Sequence, residues 1–145
     1  MITKSLLKEA RITEVISATT AGTSTIASSA VDMANYENVV FITSLGTAAA
    51  DNGHKINQSS DDGSADDYTD LLGSSLLCNG TGKVVVSEVI RPTKRYVKCS
   101  VVRGTSTTIN NCICIRWGAK TKSVTNTVTN SMNTELLVSP AEGTA

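Results

Sequence analysis

Aromatic residues, proline and histidine are all scarce in this 145-residue chain. The aromatics are Phe41, Trp117, Tyr36, Tyr68 and Tyr96, the prolines are Pro92 and Pro140, and the one histidine is His54. So few aromatics predict an aliphatic core and argue against a stacking platform for bases or sugars. A single histidine leaves little material for His-based metal binding or for His-driven proton transfer. No apolar run approaches the roughly 20 residues of a membrane helix. The segment Met1 to Arg11 lacks the continuous apolar core of a secretion signal, so the sequence predicts a soluble, unsecreted chain with no membrane partner.

Cysteine is present but wrongly spaced for zinc. Cys78, Cys99, Cys112 and Cys114 form no CxxC pair and have no Cys/His partner spacing. Cys112 and Cys114 fall on one face of a strand, because strand side chains alternate with period two. All four read as buried free thiols that act as small apolar residues, in keeping with a reducing compartment.

What the chain has in quantity is Thr, Ser and Asn, with Val, Ile and Leu in short runs. β-branched runs separated by polar turns favour strands over long helices. The length fits one domain, which buries roughly two thirds of its unfolded surface without disulfides.

Formal charge sums to zero, yet the signs are segregated. Asp51, Asp61, Asp62, Asp66, Asp67 and Asp70 stand against Lys55 alone, whereas Arg91 to Lys122 holds eight basic residues and no acid. Two readings stay open. Either these are two solvated surfaces, or opposite-sign patches meet between neighbouring copies or on a partner lattice. Nucleic acid is not expected as a partner, because the whole chain has no basic excess and few stacking aromatics.

Along the chain, Leu6 to Ala10 is compatible with a helical turn, and Arg11 to Ile16 alternates as a strand preceded by an arm. Thr19 to Ser29 reads as a polar stretch with a turn at Ala21-Gly22-Thr23-Ser24. Asn38 to Leu45 is the clearest buried strand, stopped by Gly46. His54, Ile56 and Gln58 alternate with Lys55, Asn57 and Ser59 into a turn at Ser60-Asp61-Asp62-Gly63-Ser64, with a return limb over Ala65 to Leu72. Asp-Gly marks such a turn because both residues tolerate positive φ. His54 is expected to be exposed or to make a cross-strand polar contact. Lys83 to Ile90 is a strand ended by Arg91-Pro92. Tyr96 to Val102 puts Val97, Cys99 and Val101 on one face. Asn111 to Trp117 is apolar on both faces and is expected to lie centrally, with Trp117 buried. From Lys120 to Thr134 the chain is polar, with Val124, Val128, Met132 and Leu136 every fourth residue. It reads either as an arm that orders against a neighbour or as a simple tail. The resulting organisation is an N-terminal arm (1–10), a sandwich or barrel domain (11–118) and a C-terminal arm (119–145).

No nucleophile elbow, phosphate loop or carboxylate pair emerges, and a non-enzymatic chain without cofactor or metal is expected. Aligning Gly63 with the glycine of an EF-hand loop puts Gln58, Ser60 and Thr69 where acidic ligands belong, so that motif fails.

Several stretches resemble the small capsid decoration, or cement, proteins of tailed bacteriophages. They are Val31-Asp32-Met33-Ala34-Asn35-Tyr36-Glu37-Asn38-Val39-Val40-Phe41, the hairpin Gln58 to Ser64 leading to Asp70-Leu71-Leu72-Gly73, Ile90 to Val97 running on to Val101-Val102-Arg103-Gly104-Thr105, and Val138 to Ala145. The resemblance implies an all-β, jellyroll-like antiparallel β-sandwich with extended arms. It also implies binding to the outside of an assembled shell across major capsid protein subunits, often as a homodimer or other homo-oligomer. The location would be the virion exterior after synthesis in the host bacterial cytoplasm. Within that reading, the basic turn with Arg91, Lys94, Arg95 and Tyr96 is the first candidate interface, since cations beside an aromatic suit carboxylate partners. Asp61 and Asp62 are its electrostatic counterpart, and Val124, Val128 and Leu136 are the arm contacts. The alternatives are a tail or neck component of a phage particle, or a carbohydrate-binding sandwich module.

Overall fold

A computed structural model describes residues 4–126, 132–139 and 141–144. One helical turn, α1 (Leu6–Glu9), precedes eleven strands: β1 (Arg11–Ile16), β2 (Thr19–Gly22), β3 (Ile26–Ala27), β4 (Val31–Asp32), β5 (Asn38–Leu45), β6 (Asn52–Ser59), β7 (Thr69–Asp70), β8 (Leu76–Leu77), β9 (Val84–Ile90), β10 (Tyr96–Arg103) and β11 (Thr107–Trp117). One sheet has the order β1-β11-β5-β9, with β2 also on β11. The other has the order β3-β10-β6-β7, with β4 on β10 and β8 on β6.

The pairing is nested. β1 and β2 pair with the last strand, β3 and β4 with β10, β5 with β9, and β6 with β7 and β8, all antiparallel. Counting each interrupted pair as one strand gives eight positions, a long ribbon rolled into two sheets. That is the jelly-roll form of an all-β sandwich.

The strands form where the alternation predicts. In β5 the inward residues Val39, Phe41, Thr43 and Leu45 are fully buried. They meet Ile56, Val97, Cys99 and Val101 from the opposite sheet and Cys112 and Cys114 from β11. The core is aliphatic around one phenylalanine, and all four cysteines are buried free thiols. Asp62 and Gly63 adopt φ of 64° and 78°, the positive values the turn requires.

Three local expectations change. The polar stretch after Ala18 is not a plain loop but supplies β2 and β3. These are held by Arg103, whose buried guanidinium donates to the carbonyls of Thr20, Ser24 and Thr107. The return limb shrinks to Thr69–Asp70, because the residues before it are organised by side chains and not by a ladder. Gly53 explains why β8 sits so close to β6: a Cβ there would lie 2.2 Å from the Leu76 carbonyl oxygen.

His54 is the third. Of the two expected roles, exposure fails, since it is completely buried, and its polar contacts run to strands of the other sheet. Its Nδ1 lies 2.8 Å from Thr43 Oγ1 and its Nε2 lies 2.8 Å from Ser87 Oγ. Thr43 donates its own proton to Cys112 Sγ at 3.3 Å, so its oxygen accepts from Nδ1–H and Ser87 donates to Nε2. Burial holds the imidazole neutral and pushes its pKa down to about 4.

Candidate functional site

The elements singled out by the sequence converge on one end of the sandwich. β6 and β10 are neighbours with Ser59 opposite Tyr96, so the loop leaving β6 and the turn entering β10 share that end. The Met33 to Glu37 loop joins them: Met33 N–H donates to the Arg95 carbonyl at 2.8 Å, and Arg91 N–H donates to the Glu37 carbonyl at 2.9 Å. Arg91 takes a φ of 50°, the left-handed region that non-glycine residues rarely occupy. Arg91, Pro92, Tyr36, Glu37 and Lys120 line an open cleft of about 460 Å³ there.

The opposite-sign segments meet within one chain. Lys94 Nζ contacts both Asp66 oxygens at 2.9 and 2.7 Å. Arg95 forks onto Asp32 through Nε at 2.9 Å and Nη2 at 2.7 Å, with its guanidinium 5.0 Å from the Tyr96 ring centroid. Lys98 lies 4.0 Å from Asp62 and 4.0 Å from the Tyr68 ring centroid. The Lys94 ammonium, with the Ser60 donors, holds the Asp66 carboxyl down at about 2, and the Arg95 fork lowers Asp32. Lys94–Asp66 and Lys98–Asp62 join the two segments within one chain, whereas Arg95 takes its counter-charge from Asp32, outside the acidic segment.

Asp61 and Asp62 have internal work as well. The Asp61 carboxylate accepts from the backbone N–H groups of Ser64, Ala65 and Asp66, and those donors lower its pKa, Ala65 foremost. Asp62 accepts from the Tyr68 hydroxyl at 2.6 Å. These contacts make the loop a preshaped unit. Among the described residues no group of three or more His, Cys, Asp or Glu side chains is arranged to hold a metal ion.

The start of the C-terminal segment is strapped to the N-terminal turn. Val124 is buried and its N–H donates to the Lys8 carbonyl at 2.9 Å. Asn126 accepts from Ile12 N–H and donates to the carbonyls of Leu7 and Ala10, while Lys122 pairs with Glu9 at 2.9 Å. For Val124 the supporting surface is therefore its own domain and not a neighbour. Leu136 is exposed, as are Leu137 and Val138 after it, and Val128 lies outside the described residues.

One surface was missed by sequence reasoning. On the β1-β11-β5-β9 sheet the apolar outward positions are Ile12, then Ile113, Ile115 and Trp117, then Val40 and Ile42, then Val84, Val86 and Ile90, and the same face carries Glu14, Asn111, Ser44 and Glu88. Val84, Val86 and Ile90 are 58, 50 and 57 % exposed. Trp117, expected to be buried, is 39 % exposed, because it ends its strand and leans on the surface with Nε1 donating to Glu88 at 3.0 Å. The signal was available: β11 is apolar on both faces, and the outward residues of β9 are mostly valine and isoleucine. β11 is central in its sheet, as expected, but a central strand still has an outer face.

No protein-family model matches the chain, and no curated protein matches it. Among the described residues no helix is long and apolar enough to cross a membrane.

Proposed function

We propose that this chain is a structural virion protein that binds the outer surface of an assembled phage capsid and bridges major capsid protein subunits. The observation that carries the reading is the convergence, at one end of a rigid jelly roll, of the Arg91 to Tyr96 turn, the Ser59 to Tyr68 loop, the Met33 to Glu37 loop and the Lys120 to Asn126 strap. Loops gathered on a rigid scaffold are where binding residues concentrate. Internal ion pairs and backbone caps fix their shape beforehand, which lowers the ordering cost of docking. The resemblance of the stretches from Val31 onward to decoration proteins supplies the partner.

The mechanism is mass action. A ligand that binds the assembled shell and not its separated subunits stabilises the shell, and many symmetry-related copies multiply a modest single contact. Arg91 and Lys120, beside the cleft, are the cations suited to carboxylates on the shell.

Co-sedimentation with purified shells tests this. Saturable binding to expanded shells, weakened by Arg91→Glu, is the expected result; a folded protein that leaves every shell bare overturns it. A second reading has one observation behind it: Trp117 is exposed beside the Glu88 carboxylate, a pairing that suits a sugar ring. A glycan array with Trp117→Ala as control separates the two. Microscopy of the particle distinguishes shell from tail or neck.

A further inference from the structure

We infer that the free edge of β9 takes an extended, alternately apolar segment of a partner protein as an added strand. The inference goes beyond the capsid reading and does not depend on it.

The sheet edges are guarded, and β9 is the exception. Across its own sheet, the β1 edge is capped by Asn126, which accepts from Ile12 N–H, and the strand carries a register shift between Glu14 and Ile16. The edges of the other sheet are two-residue strands, β3 and β4 on one side and β7 and β8 on the other. Caps, bulges and very short strands are how sheets avoid pairing with other chains. β9 is seven residues long without proline or lysine, and its one charged residue, Glu88, is engaged by Trp117.

The register identifies the free backbone groups. The Lys83 carbonyl accepts from Leu45 N–H at 2.8 Å, and Arg91 N–H donates to the Glu37 carbonyl at 2.9 Å, at the two ends of the β5 and β9 pairing. Antiparallel ladders alternate, so Val85, Ser87 and Val89 also bond to β5, while the N–H and C=O of Val84, Val86, Glu88 and Ile90 point out of the edge. None of these outward groups has a partner among the described residues. Between β8 and β9 lies an open groove of about 340 Å³ lined by Leu76, Leu77, Cys78, Val84, Val85 and Val86. An unpaired ladder beside an apolar groove is the chemistry of strand addition: backbone bonds hold the incoming strand, and its alternate side chains enter the groove.

These features choose among occupants. A second copy's β9 could meet the ladder but has no side chains to spare for the groove, since its Val85 is buried in its own core and its Ser87 is bonded to His54. The chain's own C-terminal segment starts at the opposite edge, where Val124 and Asn126 are tied to the N-terminal turn. A separate extended segment has both sets of side chains available.

The probe is a fluorescein-labelled peptide of alternating valine and threonine with lysine at both ends, titrated against the full chain by anisotropy and followed by amide exchange. Saturable binding is expected, with exchange at Val84, Val86, Glu88 and Ile90 slowed about 10-fold or more. Val86→Pro removes one outward N–H and spares the β5 ladder, so it should weaken binding about 10-fold with cooperative melting retained. Val86→Lys, which guards the edge by charge, is the variant to read if the proline unfolds the chain. Leu77→Glu should weaken binding similarly through the groove. No saturable binding at about 1 mM peptide overturns the inference, as does binding that leaves those four amides unslowed or survives the Val86 and Leu77 changes. A wild-type oligomer dissociated by the Val86 change would assign the edge to a second copy. A 10-fold gain in peptide affinity in the full chain carrying Leu136→Ser, Leu137→Ser and Val138→Ser would assign it to the chain's own tail, and either result overturns the inference equally.

Discussion

The two outer faces of this sandwich are built on opposite principles. On the β3-β10-β6-β7 sheet the outward side chains satisfy one another. Lys55 meets Asp70 at 2.7 Å, Asn57 bridges Asp70 and Ser100, and Lys98 lies over Tyr68, whose hydroxyl reaches Asp62. On the β1-β11-β5-β9 sheet the outward centre is isoleucine and valine, with Glu14 and Glu88 on the edge strands. The first face is closed by polar pairs within the chain, and the second is an apolar centre of half-buried isoleucine and valine. A strand that is apolar on both sides, as β11 is, therefore need not be sandwiched between two layers: its second face stays half-buried on the outside of the sheet.

His54 provides the largest test of this contrast, because it joins the layers that carry the two faces. Its neutral form is favoured by folding, so its contribution is complete above the ordinary value of 6.5 and is lost as the pH falls through 6.5 towards about 4. Roughly 2 to 3 kcal/mol should disappear between pH 7 and pH 4.5, read from urea unfolding. Asp66, held at about 2, keeps its contribution below that window. A flat profile would mean that the buried network does not couple the sheets to pH.

On the polar face, Asn57→Ala should cost about 1 to 3 kcal/mol, since the Ser100 hydroxyl and the Asp70 carboxylate lose a shared partner. If denaturation midpoints barely move, the face is not held by that network. At its rim, Lys94→Ala removes a half-exposed ion pair and should cost only ~0.2 to 1 kcal/mol, fading as salt is raised. A salt-independent loss would assign Lys94 a packing role instead.

The smallest effect belongs to the apolar face. Val86→Thr, at a half-exposed position, should shift unfolding by no more than about 0.5 kcal/mol and reduce binding of an apolar dye. A large loss would show that Val86 is part of the monomer's own core.

Much of the fold was readable from residue order. β5 runs from Asn38 to Leu45 and stops before Gly46 as its apolar run does, and the inward set Val97, Cys99 and Val101 follows from alternation alone. Asp62-Gly63 turns with both φ values positive because its chemistry permits it. His54 misled because a polar, alternating strand looks solvated. Its partners Thr43 and Ser87 lie on other strands of the opposite sheet, which no local pattern reveals. The candidate site was legible in its parts, the basic turn and the acidic loop, and illegible in its assembly, since Lys94 and Asp66 meet only because β10 lies beside β6.

By itself, then, the sequence determined an all-β chain with an aliphatic core, reduced cysteines and a charged turn facing no particular partner. Those properties follow from side-chain chemistry and period-two alternation, which act over a few residues. Only the tertiary structure decided that Lys94 meets Asp66, that Val124 is tied to its own N-terminal turn and that one sheet shows isoleucine to the outside. Each of these depends on which strands become neighbours, and nested long-range pairing sets that for the whole chain at once.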